Sequence, residues 1–304
     1  MKYVYPKFSE HEFIGFRLSG AGLGNLLFIY SRALIYSIEN NCDMIWPTWF
    51  SIRPGTWIRN ESDKRIYGDL FKNNSKYVSG LKKYWLLLTM RKFHHNSDHS
   101  IDNKNGINIY NYHDMKMEFS DLIKYRKTIY DDLYNNLEKK NKIFEFYDYS
   151  NTVNVHIRLG DFNRPSDESL EKGLNNISIS IDWYIYIIKQ LSQISKGKLN
   201  FNVFSDGLDN ELKEVIALDN VKRVSFGNSI TDIFALSRSK LIIASGSSFS
   251  LWARFLGQAD CITYPRQLKA QVLANTYKNF EIEVGLNEII PDYSIKLIKE
   301  KYCI

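Results

Sequence analysis

Residues Thr152–Phe162 read TVNVHIRLGDF. Val153, Val155 and Ile157 alternate with Asn154, His156 and Arg158, the period-two pattern of a strand with one apolar face. The run closes on Gly160 and Asp161, so His156 and Arg158 are expected together near the carboxyl end of a strand, where open α/β sheets place their ligands. A guanidinium there offers a planar fork matched to phosphate oxygens. A rim arginine paired with Asp161 is the plainer alternative.

Downstream the chain alternates between two periods. Ser180 and Asp182 open an expected helix whose Ile181, Tyr184, Ile185, Ile188 and Leu191 share one face. A strand over Leu199–Phe204 ends in Ser205, Asp206 and Gly207. A helix over Asn210–Leu218, a short strand over Val221–Ser225 and a helix capped by Ser229 or Thr231 follow. Leu241–Ala244 is the last expected strand, and it runs into Ser245-Gly246-Ser247-Ser248-Phe249-Ser250 and a helix over Leu251–Leu256. Hydroxyl residues and a glycine before a helix offer free N–H groups and the positive end of its dipole, which suit a phosphate. A plain serine cap is the alternative, and the G-x-S-x-S spacing does not match the nucleophile elbow of serine hydrolases. Strands alternating with helices imply a parallel α/β layer with right-handed crossovers.

Upstream, Phe13–Leu18 reads as a buried first strand. Gly20-Ala21-Gly22-Leu23-Gly24-Asn25 and a helix over Leu26–Glu39 follow, with Leu27, Tyr30, Leu34 and Ile38 on one face. Three glycines between strand and helix let the backbone come close to a ligand. The spacing departs from the dinucleotide fingerprint, and Met44-Ile45-Trp46 runs into Pro47 rather than into the acid that would hold a ribose. Thr48–Ser150 is less regular; it holds Arg53, Pro54, Trp57 and Arg59 and an expected helix around Asp121–Lys140, and acceptor-binding residues are expected from this half. His94, His95, Asp98 and His99 lie in a polar stretch with no helix to set ligand spacing, and read as a solvated loop rather than a metal site. Two α/β halves, 1–150 and 151–304, are the simplest organisation.

With 304 residues, 44% hydrophobic and 24% charged, the chain is an ordinary globular protein with length for two cores. Its net charge of +6 is scattered, which fits phosphorylated ligands or an anionic membrane surface and gives no nucleic-acid module. Cys42, Cys261 and Cys303 are odd in number and far apart, pointing to a reducing, cytoplasmic setting. The first residues contain no apolar leader, and no run approaches the ~18 residues of a spanning helix. Tyr84–Met90, flanked by Lys82, Lys83, Arg91 and Lys92, could lie on a membrane surface; a buried helix with charged ends is the simpler expectation.

Three stretches in order, GAGLGNLLFIYSRAL (20–34), VNVHIRLGDF (153–162) and SGSSFSLWARFL (245–256), resemble the bacterial α-1,2-fucosyltransferases of glycosyltransferase family 11. Ile181-Asp182-Trp183-Tyr184 and Phe204-Ser205-Asp206 are similar to two further family segments. The resemblance implies a GT-B-like α/β fold of two Rossmann-like halves facing each other across a cleft: an acceptor-side half (1–150) and a GDP-sugar half (151–304), with the C-terminal tail packing back on the first. It implies an inverting, metal-independent enzyme that moves L-fucose from GDP-β-L-fucose to a galactoside hydroxyl in surface polysaccharide synthesis, with no cofactor. The acceptor would be a glycan, free or lipid-linked, met at the inner membrane surface.

By the same resemblance Arg158 would hold the β-phosphate; the chemistry also calls for a base at the acceptor hydroxyl, for which Asp161 is the candidate, its alternative role being to orient Arg158. His156, Ser205 and Asp206 would lie near the nucleoside; Ser247, Ser248 and Phe249 would cradle the diphosphate; and Gly22, Gly24 and Asn25 would face the donor from the other half. Leu159 departs from the family, which has a second arginine there, although protein O-fucosyltransferases also carry a single arginine in an H-x-R-x-G setting. The competing readings are a transferase with another nucleotide-sugar donor and a non-catalytic GDP- or glycan-binding module. A metal-dependent GT-A enzyme is disfavoured because the chain has no Asp-x-Asp pair.

Overall fold

The computed structural model describes residues 2–18, 20–58, 64–94, 108–113, 115–273 and 277–304. The chain divides into two compact units, Met1–Met117 with Asp121–Lys140, and Glu118–Ser120 with Asn141–Ile304. Arg59, His95, Asp98 and His99 lie outside the described residues.

The first unit contains β1 (Lys2–Pro6), β2 (Arg17–Leu18), α1 (Leu23–Glu39), β3 (Asp43–Met44), β4 (Ser51–Ile52), α2 (Pro54–Ile58), α3 (Gly80–Thr89), β5 (Arg91–His94), β6 (Asn108–Tyr112) and α4 (Arg126–Asn136). Four strands form a parallel sheet in the order β3-β1-β6-β5, and β2 pairs with β4 separately. The expected first strand over Phe13–Leu18 is corrected. Gly15 sits at φ +84, which breaks the extended run, and only Arg17 and Leu18 are in a strand. Phe13 and Ile14 are 50% and 65% exposed, while Tyr3, Val4 and Tyr5 of β1 are buried.

The helix α1 starts at Leu23, three residues earlier than its apolar period suggests, because Gly22 serves as its N-cap. It is buried nearly all round, so the spacing of its apolar residues marks no boundary. The helix α3 is buried on one side only: Lys83 and Leu86 point inward, while Leu81, Trp85 and Leu88 are 89%, 53% and 73% exposed. No helix among the described residues is long and apolar enough to cross a membrane.

The second unit contains β7 (Thr152–Ile157), α5 (Asp167–Glu171), α6 (Ile181–Ser195), β8 (Asn200–Ser205), α7 (Asp209–Ile216), β9 (Val221–Arg223), α8 (Ser229–Leu236), β10 (Leu241–Ala244), α9 (Ser248–Gly257), β11 (Asp260–Thr263), β12 (Glu281–Glu283) and α10 (Asp292–Tyr302). Six parallel strands run in the order β12-β11-β10-β7-β8-β9, so β7 lies inside the sheet. The cap of α8 is Asn228, whose side chain accepts from the Thr231 N–H at 3.1 Å, rather than Ser229 or Thr231.

The strand β10 is not the last, contrary to expectation: β11, β12 and α10 follow. Asp260 and Glu281 hid the two strands, because acids are poor signals of buried extended chain. In the fold both carboxylates are satisfied, Asp260 by Lys301 at 2.5 Å and by the Phe280 N–H at 3.1 Å, and Glu281 by Arg254. The C-terminal tail forms α10. Its Ile298 and Tyr302 belong to the second core, and the Tyr302 hydroxyl donates to the Thr152 carbonyl at 3.0 Å.

Every residue of β7 is buried, on both faces. The alternation therefore separates an aliphatic layer from a hydrogen-bonded one, as parallel sheets covered on both sides require. Val153, Val155 and Ile157 join the core with Trp183, Ile187, Phe201 and Ile243. Opposite them, the Asn154 amide donates to the Ala235 and Leu236 carbonyls at 3.0 and 2.9 Å, closing the C-terminal end of α8.

Candidate active site

The carboxyl ends of β7, β8 and β10, adjacent strands, bring together the residues singled out in the second half. Arg158 is the first residue beyond β7, and its side chain is about one-fifth exposed. One guanidinium nitrogen lies 2.9 Å from Asp206 Oδ2 and the other bonds Asp161. Asp206 also accepts from the Leu159 N–H at 2.9 Å. A Cβ on Gly160 would collide with the Asp206 carboxylate, so this turn requires glycine there. The fork is thus held in one orientation by two carboxylates and stacked beside the Phe162 ring at 5.5 Å. Ser205 stays in the turn, its hydroxyl accepting from the Gly207 N–H at 3.0 Å.

His156 is buried. Its Nδ1 lies 2.7 Å from the Ser245 hydroxyl and its ring stacks on Phe249 with centroids 5.0 Å apart. Burial, reinforced by the Arg158 charge, lowers its pKa to about 3, so the ring is neutral at physiological pH. It joins β7 to the serine loop as an aromatic and hydrogen-bonding spacer. In that loop Ser247 caps α9, and the Ser250 hydroxyl donates to the Ser245 and Ser247 carbonyls at 2.7 and 3.1 Å. Ser248 and Phe249 open α9 half-buried, so their N–H groups have no intrahelical acceptor and carry the positive end of the dipole.

Leu159 is half-buried and packs against the second core; a Cβ on Gly207 would collide with its side chain. The position that carries an arginine in the family is therefore spent on packing, while its N–H holds Asp206.

In the first unit, Gly22, Gly24 and Asn25 form the N-terminus of α1. Gly22 offers no side-chain cap, and the Leu23 N–H donates to the Tyr67 hydroxyl at 3.1 Å. Asn25 Oδ1 is buried without a hydrogen-bond partner. Sequence reasoning missed the charged groups around this loop. Arg17 is fully buried and donates to the Thr48 carbonyl at 3.1 Å; Arg53 donates to the Ala21 carbonyl; Lys83 donates to the Thr48 hydroxyl at 2.9 Å. Burial lowers Arg17 to about 10 and Lys83 to about 8, and raises Glu12. An arginine inside the apolar run FIGFRL was the available signal.

The family model for glycosyl transferase family 11 matches residues 81–283, about two thirds of the chain. No curated protein sequence matches it. Among solved structures, the NodZ α-1,6-fucosyltransferase co-crystallised with GDP is similar with a TM-score of 0.51 at 13% identity, covering 86% of this chain and 94% of its own. The same enzyme soaked with GDP-fucose gives a TM-score of 0.51 at 12% identity over the same shares. Fucosyltransferase NodZ from Bradyrhizobium gives 0.50 at 13% identity over 84% and 92%. These likenesses establish a mixed α/β fold with parallel sheets, shared with NodZ. On the family match, the chain is a member of glycosyl transferase family 11.

Proposed function

We propose that this chain is an inverting fucosyltransferase that uses GDP-β-L-fucose. The observation that carries the reading is Arg158, fixed by Asp161 and Asp206 on one strand end, beside the open N-terminus of α9 on the next. GDP and GDP-fucose, the ligands of the structurally similar NodZ, have the diphosphate such a site suits. The acceptor hydroxyl oxygen attacks the anomeric carbon as the sugar–phosphate bond breaks, GDP leaves with the electron pair, and the hydroxyl proton passes to a base or to water. Charge develops on the leaving diphosphate; Arg158 and the Ser248 and Phe249 N–H groups stabilise it, at ~3–4 kcal/mol for one well-placed donor. Asp161 acts by orienting Arg158, and Asp206 links that fork to the nucleoside side. No metal is needed in this scheme, so turnover survives EDTA.

The finer reading is transfer to a galactoside in α-1,2 linkage for surface polysaccharide, which rests on the motif resemblance. It includes a GT-B-like arrangement in which the first unit takes the acceptor side, with its Gly22, Gly24 and Asn25 turned to the donor, and the second unit holds the donor. It also includes peripheral contact with an anionic membrane from the cytoplasm. Leu81, Trp85 and Leu88 share one exposed stripe of α3 at helical spacing, with Lys82, Arg91 and Lys92 exposed around it, the makings of an in-plane anchor. Vesicles of mixed anionic and neutral lipid should sediment the protein, and a Leu81→Ser, Trp85→Ser, Leu88→Ser variant should stay in solution; equal sedimentation of both removes the anchor.

The deciding test is a thermal-shift panel. At 100 times its Kd a ligand adds ~2.7 kcal/mol to native stability, so GDP should raise the Tm clearly and UDP hardly at all. Equal shifts would point to another donor.

A further inference from the structure

The loop that follows β11 has no part in the site so far, yet it leaves that sheet at the same carboxyl edge, next to β10. Within it Gln267 is 2% exposed, and its amide Nε2 is buried without a hydrogen-bond partner. Its side chain lies on Gly246, the residue before the cap of α9: a Cβ added there would collide with Gln267 Oε1, and the Lys269 stem lies just beyond it. A buried amide with no partner is costly, and native folds retain such groups only for a reason.

Residues 268–273 of this loop are also tied down. The Leu268 N–H donates to Glu283 at 2.9 Å, and Glu281 accepts from the Val272 and Leu273 N–H groups, each at 3.1 Å. Arg254, on α9 itself, pairs with Glu281 and donates to the Ala270 carbonyl at 3.0 Å. Lys269 Nζ donates to the Gly173 carbonyl at 2.7 Å. Gln267 therefore cannot relax to find a partner by moving its backbone. Its free donor is preorganised against the turn that opens α9.

We propose that Gln267 is a ligand-binding residue whose amide N–H donates to a phosphate oxygen of a nucleoside diphosphate seated at the N-terminus of α9. The inference rests on the reading of this site as a diphosphate site and extends it to a fourth strand end, that of β11. It also accounts for Gly246: the glycine leaves space for Gln267 to lie on the backbone where the phosphate arrives. A hydrogen bond to a charged group is worth roughly tenfold or more in affinity.

Gln267→Met keeps the volume and removes the donor, so titration calorimetry should show GDP binding weakened about tenfold or more, with guanosine binding unchanged. The ligand-free Tm should stay the same or rise, because an unpaired buried amide has been replaced by an apolar side chain. Pyrophosphate, which lacks the base, should lose its thermal shift in the same variant. If Gln267→Met does not fold, Gln267→Asn, which keeps the amide but draws it back by one methylene, should show the same selective loss. Wild-type binding of GDP or pyrophosphate that the variant retains overturns the inference alone, as does a lower Tm with unchanged affinity. A wild-type chain that binds neither overturns it together with the site reading.

Discussion

The N-termini of α1 and α9 each open from a loop of glycine and small residues, but they are prepared in different ways. At α9 neutral groups do the work: Ser247 caps the helix, the Ser250 hydroxyl ties the loop, and a neutral His156 bridges it to β7. At α1 the cap is a bare glycine, and buried cations, Arg17, Arg53 and Lys83, surround the loop. Hydrogen bonds between neutral groups fix a geometry at little electrostatic cost, whereas buried cations raise the local potential and carry a desolvation penalty. The first arrangement suits a site that must hold still while charge develops on a ligand. The second stores charge under a loop whose own side chain, Asn25, has an acceptor still unused.

The largest expected effect belongs to Arg158, the partly exposed cation at the carboxyl end of β7. Arg158→Ala should lower kcat by about 10²–10³ and leave Tm little changed, because the side chain is partly solvated and its carboxylate partners can rehydrate. Arg158→Lys should not restore turnover, since a point charge replaces a fork. A Tm collapse in Arg158→Ala would mean that the fork serves the fold and would erase the contrast between the two loops.

Stability against pH should separate the two ends by the window in which each group titrates, with the same sign in both. Lys83 sits near 8 in the fold and near 10.5 when unfolded, so the unfolded chain binds more protons between those values. Stability should therefore rise with pH across that window, by roughly 3 kcal/mol for a shift of that size. His156 is depressed to about 3 from an ordinary 6.5. The unfolded chain again binds more protons, and stability should fall as pH drops below about 6.5. Lys83→Met should remove the alkaline rise and leave the acid loss; His156→Asn should do the reverse. Tm measured from pH 4 to 10 reads both, and matching profiles in the two variants would refute the assignment.

Capping sharpens the comparison at the smallest scale. Ser247→Ala should lower stability by about 1 kcal/mol. Gly22 has φ −62 and nothing within 4 Å of an added Cβ, so Gly22→Ser fits and should add a few tenths of a kcal/mol. Chemical denaturation resolves the first change, and a kcat that survives the second would show that no ligand approaches the Gly22 backbone closely.

What could be read along the chain was what depends on neighbours in sequence. The alternation in Thr152–Phe162, the Ser180 cap and the serine turn that opens α9 are local patterns; the strand and the helix after Ser180 lie where the pattern places them, while α9 starts at Ser248, three residues before the expected Leu251. The strands β11 and β12 were invisible because Asp260 and Glu281 are satisfied by partners 41 and 27 residues away. The helix start at Leu23 was hidden by burial on all sides. In the site, Arg158 and Asp161 lie together as their spacing of three suggests, and the link to Asp206 follows from neighbouring strands. Of the cations around α1 only Arg17, inside the apolar run FIGFRL, carries a local mark, and Gln267 carries none: nothing in PRQLKA shows that an amide will be sealed against Gly246.

The three residues Glu118–Ser120 belong to the second unit although the chain on either side of them belongs to the first. Phe119 is fully buried there, stacked on Phe255 at 4.4 Å and edge-on to Trp252 at 5.1 Å. A polypeptide started at Asn141 would lack that ring, and an empty space of this kind costs about 3–5 kcal/mol, a large part of the 5–15 kcal/mol that typically keeps a domain folded. The second unit is therefore not an autonomous fragment when started at Asn141. During synthesis its first aromatic leaves the ribosome ahead of α4, and must wait more than a hundred residues for the helix that receives it.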